Sequence, residues 1–226
     1  MKNNNKFRLD VWGAITLGTI ALYALFLLYP MAYLIRQSVL DPDTGGFTLA
    51  YFTKFFSKSY YFDTLINSFK VSITATVLSI AIGTPLAYLF TIFKIKGKSV
   101  LNILIVVASM SAPFIGAYSW ILLLGRSGVI TAFFKNLGIA IPDIYGFGGI
   151  VLVMTLQLFP LVFLYAKGAL KNIDNSLIEA AENLGCSGIV CFFKVVVPLI
   201  MPTLLAAALL VFMRSFADFG TPMLIG

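Results

Sequence analysis

The chain has 226 residues, 60% of them hydrophobic and only 11% charged, against about 25% charged in soluble domains. That composition excludes a water-soluble globular domain and describes an all-α polytopic membrane protein. The formal charge of +7 does not indicate nucleic acid, because the lysines are scattered through connections with no basic face. With no histidine and two cysteines, Cys186 and Cys191, the chain has no metal set, and both thiols read as reduced and packed.

Residues 1–10 are polar and carry Lys2, Lys6 and Arg8. An apolar run over 11–35 follows, about the 20 residues that a bilayer crossing needs. A cleaved signal peptide would have a shorter core and a small-residue cleavage site, so the run is expected to stay as a first helix. Residues 36–63 form a polar, aromatic-rich connection. Asp41, Pro42, Asp43, Gly45 and Gly46 supply its turns, and Tyr51, Tyr60 and Tyr61 suit the membrane interface. The second span is expected over 64–93, with Gly83 and Pro85 free to bend it. Lys94, Lys96 and Lys98 then make a tight basic loop. Gly97-Lys98-Ser99 resembles the end of a phosphate-binding loop, but Ile92 stands where that motif needs its first glycine and no soluble strand precedes it. A third span is expected over 100–124, with Ser109, Ser111, Pro113 and Gly116 favouring close helix packing or a cavity. A polar connection with an amphipathic run near 131–137 leads to a fourth span over 148–166. Gln157 and Pro160 mark an interior or pore-facing surface there, or a hydrogen bond to a neighbouring helix.

The stretch from Ile173 to Pro202 is too polar for lipid and reads as two short helices. Ser176 and Glu179 fit a capping box, Asp174 suits the helix start, and Gly185 falls where a left-handed residue closes a helix. Ser187 is placed to cap the second helix, which Pro198 and Pro202 should keep from running on undisturbed. Glu179, Ala180 and Ala181 are followed by three residues, Gly185, nine residues, then Val195, one residue, Val197 and Pro198. This spacing resembles the cytoplasmic signature loop of bacterial ABC importer permeases, with valine for the usual isoleucine and leucine at 195 and 197. The resemblance implies a coupling helix, within a loop over 171–198, that docks on a separate ATPase. Small Ala180 and Ala181 would allow close approach, and Glu179 would present charge.

A fifth span is expected over 199–222. Charges inside such a span cost about 2.5–3.5 kcal/mol each on insertion scales. Arg214 and Asp218 are four residues apart, which places them on one helix face and lets them pair, either to pin the helix or to form part of a pore or gate with Gln157. The run from Arg214 to Gly226 resembles ferric-iron-type permeases, and permeases for polyamines, phosphonates and sulfate-like anions have similar segments. Such permeases usually carry at least six spans; the five expected here fit a fragment, a split gene product or a truncated reading frame.

Placing the N-terminus, residues 94–98 and residues 167–198 on one side gathers Lys2, Lys6, Arg8, Lys94, Lys96, Lys98, Lys167, Lys171 and Lys194. The other side holds Arg36, Lys54, Lys58, Arg126 and Lys135. The excess puts the N-terminus and the signature loop in the cytoplasm. The resemblance then implies a permease domain of the bacterial inner membrane. It would work with a cytoplasmic ABC ATPase dimer, a second permease domain (homo- or heterodimer), an extracytoplasmic solute-binding protein and membrane lipid. The chain itself would bind no cofactor; ATP would be hydrolysed on the partner. A secondary transporter would call for internal repeats and paired mid-span charges, which are not evident, and a membrane assembly subunit would need no polar path.

Overall fold

The computed structural model describes residues 11–41, 45–93, 96–110, 112–139, 142–186 and 188–226. Lys2, Lys6, Arg8, Pro42, Asp43, Lys94, Ser111 and the expected cap Ser187 lie outside them. Among the described residues the regular structure is helical, with one isolated bridge between Leu40 and Phe47. The helices are α1 (Val11–Val39), α2 (Ala50–Ser57), α3 (Ser59–Ile92), α4 (Lys98–Ser109), α5 (Pro113–Leu124), α6 (Val129–Asn136), α7 (Phe147–Lys171), α8 (Asn175–Asn183), α9 (Gly188–Phe216) and α10 (Gly220–Ile225). The stretches Val11–Val39, Ser59–Ile92, Phe114–Asn136, Phe147–Lys171 and Gly188–Phe216 are long and apolar enough to cross a membrane. The chain divides within α3 into two compact units, residues 1–65 and 66–226.

In the first unit, no residue of α1 is buried, as expected of a helix whose solvent is lipid or another subunit. A π-turn interrupts it at Ala24–Leu28, ending two residues before Pro30. In the connection that follows, Phe55 stacks on Tyr61 with ring centroids 5.5 Å apart.

The second unit is built around α7. Its buried residues include Val153, Met154, Val162, Phe163 and Ala166, and it packs most extensively against α9, which buries Ile200, Leu204, Ala207 and Val211. In lipid, such contacts gain from close packing rather than from escape from water. The small residues of α3 serve that purpose. Ser72, Ala75, Thr76, Ser79, Gly83 and Ala87 are buried at three- and four-residue spacing, so backbones can approach along one stripe. Phe90 meets Phe163 edge to face at 5.2 Å, and Tyr88 lies 4.6 Å from Phe192.

Three sequence expectations are corrected. The span placed at 100–124 is not one helix: α4 ends at Ser109 and α5 starts at Pro113. Proline disfavours helical geometry in the residue before it, and Ala112 is extended (φ −70°, ψ 140°). Twelve residues of α4 rise only about 18 Å, short of the roughly 30 Å hydrocarbon layer. Second, the fifth span does not begin at Leu199. A continuous helix runs from Gly188 through Pro198 and Pro202 to Phe216. The disturbance that Pro198 imposes is taken up as a π-turn at Phe192–Val196, again ending two residues before the proline. A wider turn relieves the ring's clash with the preceding carbonyls and tolerates its missing N–H. Third, the helix containing Arg214 stops at Phe216, before Asp218.

Candidate functional site

Two regions hold the residues singled out in the sequence. The first is the connection between α7 and α9. The start of α8 is set by Asp174, not by a Ser176–Glu179 box: the Ser176 N–H donates to Asp174 Oδ1 at 3.0 Å, and the Leu177 N–H donates to the Asp174 carbonyl. The box fails because Ser176 is already inside the helix. The backbone N–H of Ser176, and then its hydroxyl, hold the Asp174 carboxyl below its ordinary pKa. Gly185 closes α8 with φ +84°, and the Cys186 N–H reaches back to the Ala181 carbonyl at 3.0 Å, the bond of a Schellman stop.

Glu179 and Ala180 are exposed and Ala181 is half-buried. Leu184, Ile189 and Phe193 are also exposed, at 89%, 76% and 64%, so this connection and the start of α9 present apolar surface as well as the acid. Val195, Val197 and Pro198 do not join this face. They lie in the π-turn of α9 and the turn that follows it, where Val197 packs on the core. The motif therefore splits between the exposed helix α8 and the first part of a long rod, α9. At 29 residues, that rod is about 43 Å long, and Arg214 sits in its last turn.

The second region lies at the far end of the rod. Gln157, Arg214 and Asp218 line one cavity of about 520 Å³ together with Ser109, Phe114, Leu158, Ala217, Phe219 and Gly220. The break between α4 and α5 contributes Ser109 and Phe114, and the middle of α7 contributes Gln157. Arg214 and Asp218 do not form the expected ion pair. With the helix ended, the Asp218 carboxylate turns to α10: Oδ1 accepts from the N–H groups of Gly220 (2.8 Å) and Thr221 (3.3 Å), and Oδ2 from the Thr221 hydroxyl (2.7 Å). Among the described residues the ion pair is Arg126–Asp143, at 3.1 Å. Gly220 packs closely on Phe114: a Cβ there would stand 3.1 Å from the ring, which would have to give by a few tenths of an ångström. The Gly146 N–H donates to the Ile225 carbonyl at 2.7 Å, tying α10 to the start of α7.

Ser109, named in the sequence among residues for close packing or a cavity, lines the cavity. Reasoning from sequence missed Phe114 and Phe219 there, and Pro113 was the available signal for Phe114. It also missed the contact of the Lys167 ammonium with Asn102 Oδ1, which joins α7 to α4 and has no sequence signal.

An all-α membrane domain with an exposed acid-and-alanine helix rooted in a long rod is the architecture of an importer permease. The chain belongs to the family described as binding-protein-dependent transport system inner membrane component, whose model matches residues 44–226. The ferric transport system permease protein FbpB of Actinobacillus pleuropneumoniae is 28% identical over 229 residues, covering 100% of this chain and 32% of that protein. The spermidine/putrescine transport system permease protein PotB of Haemophilus influenzae is 28% identical over 232 residues, covering 99% of this chain and 79% of the relative. A solved bacterial alginate ABC transporter, in complex with an alginate pentasaccharide-bound periplasmic protein, aligns with TM-score 0.69 at 19% identity, over 93% of this chain and 73% of that one. That likeness is one of fold. The chain thus spans about a third of the ferric relative.

Proposed function

We propose that this chain is a membrane-spanning permease component of an ATP-driven importer. It acts with a second permease domain, a cytoplasmic ATPase dimer and an extracytoplasmic solute-binding protein. The N-terminus and the 171–198 loop face the cytoplasm. The observation that carries the reading is the unbroken helix joining the exposed signature loop to the polar cavity. Displacement of α8 by an ATPase is passed along α9 as a rigid body to Arg214 and the turn at Asp218, reshaping the cavity between inward- and outward-open states. Hydrolysis belongs to the partner. The solute passes by the cavity lined by Gln157, Arg214 and Asp218.

Ferric iron is the solute we favour, from the run after Arg214 and the FbpB match. Polyamine is the second reading, favoured by the PotB match, which covers far more of that relative's length. Co-purification tests the coupling. The ATPase subunit should be pulled down with the chain and lost on Glu179→Arg combined with Gly185→Pro; retention of the ATPase by that variant overturns the docking assignment. Gln157→Trp, which fills the cavity, should stop solute uptake while leaving the assembled complex intact.

A further inference from the structure

We infer that the cavity recognises its solute through oxyanion groups, carboxylate or phosphate, so that a metal would pass as an anionic chelate and a bare polycation would be disfavoured. The inference rests on the reading that this cavity lies on the solute route. Its basis is the balance of hydrogen-bonding capacity among the lining side chains. Asp218 is the carboxylate in the lining, and its two oxygens already accept three hydrogen bonds from α10, of about four sites that a carboxylate offers. The Ser109 hydroxyl donates to the Val106 carbonyl.

Arg214, by contrast, brings a guanidinium with five N–H donors. Among the described residues no carboxylate is paired with it. Gln157 adds an amide that has no partner among those residues. The wall therefore offers a cation and its five guanidinium donors against few free acceptors, chiefly the Gln157 carbonyl oxygen, while its one carboxylate is largely engaged by α10. A planar guanidinium fork matches carboxylate and phosphate oxygens. A bare ferric ion or polyammonium would need free acceptor oxygens. Among the described residues no group of three or more metal-binding side chains is found.

The test uses the transporter assembled with its partner subunits in proteoliposomes. Ser109→Cys places a thiol in the cavity wall. Cys186→Ser removes the more accessible native thiol, and Cys191 is buried. The thiol is challenged with a sulfonate-bearing (anionic) and a trimethylammonium-bearing (cationic) methanethiosulfonate. Citrate, ferric citrate, inorganic phosphate and spermidine serve as protectants.

Arg214→Gln should slow the anionic reagent about tenfold and leave the cationic one within about twofold, and Arg214→Lys should restore most of the rate. Citrate, phosphate or ferric citrate should protect and spermidine should not. Protection by ferric citrate alone would identify the chelate as the recognised species, and protection by citrate or phosphate the free anion. If Arg214→Gln slows both reagents equally, or spermidine protects as well as the anions, the inference is overturned while the route stands. If neither reagent reaches the thiol and Gln157→Trp leaves uptake intact, the route assignment itself has failed.

Discussion

Gly83 of α3 is pressed against α7 so closely that a Cβ built on it would lie 2.8 Å from Val162 Cβ and 2.9 Å from the Phe159 carbonyl oxygen. The second of those atoms is backbone and has little freedom to yield. Gly83→Ala should therefore force the two helices apart and destabilise the second unit by about 1–3 kcal/mol, the usual effect of overpacking. Gly168, inside α7, has nothing within 4 Å of its would-be Cβ. Gly168→Ala should be neutral or stabilising by roughly 0.5–1 kcal/mol, from helix propensity alone. Thermal unfolding of the two variants in detergent checks the contrast, and equal midpoints would refute the close approach.

The division of labour between Asp218 and Arg214 gives a second prediction. Asp218→Ala removes three hydrogen bonds from the first turn of α10 and should cost about 1–2 kcal/mol, as loss of a helix cap does. Amide exchange of residues 220–225 should speed up. Arg214→Ala should leave that exchange unchanged, because no bond from Arg214 reaches α10. Equal acceleration in both variants would mean that the two side chains act as a pair after all.

These outcomes bear on how much the sequence could reveal. Gly185 was legible because only a left-handed glycine explains its place after a short polar helix. Gln157, Arg214 and Asp218 stood out because polar groups in an apolar chain need a reason, and one cavity gathers them. The error at Arg214–Asp218 came from extending a helical period past its end. The cue lay in Asp218 followed by Gly220, Thr221 and Pro222, a helix start in its own right. Pro198 misled in the opposite sense: proline usually stops a helix, but a π-turn one step earlier let α9 continue. Ser109 and Pro113 read as small or kinking residues for packing or a cavity within one span, not as the end of one helix and the start of another. Side-chain meetings such as Lys167 with Asn102 depend on the relative rotation of helices, which no local pattern encodes.

Asp174 supplies a pH dependence. Its folded-state pKa is lowered, chiefly by the Ser176 N–H and then by the Ser176 hydroxyl, from an ordinary value of 3.8. A depressed folded value means that the contribution is fully present above the unfolded pKa and is lost as pH falls through the folded one. The first turn of α8 should hold at neutral pH and begin to fray only below about pH 4. Asp174→Ala should show the frayed state at every pH. Amide exchange at Ser176 and Leu177 across an acid titration checks this; fraying of the native chain near pH 6 would count against it.

Gly185→Ala isolates the geometry of α8 from its chemistry. Open space surrounds the would-be Cβ, so any effect must come from the backbone, where φ +84° costs an ordinary L-residue about 1–2 kcal/mol. The stop at Gly185 holds the Cys186 N–H on the Ala181 carbonyl and so fixes the angle between α8 and the root of α9. Loss of that angle should leave Glu179, Ala180 and the exposed Leu184 present but misaligned with α9. The expected result is an ATPase that still co-purifies, with weaker affinity, while solute uptake falls several-fold further than association does. Asn at this position, which tolerates the left-handed region better than alanine, should recover part of the uptake. If Gly185→Ala transports as well as the native chain, the bend has no part in transmitting force.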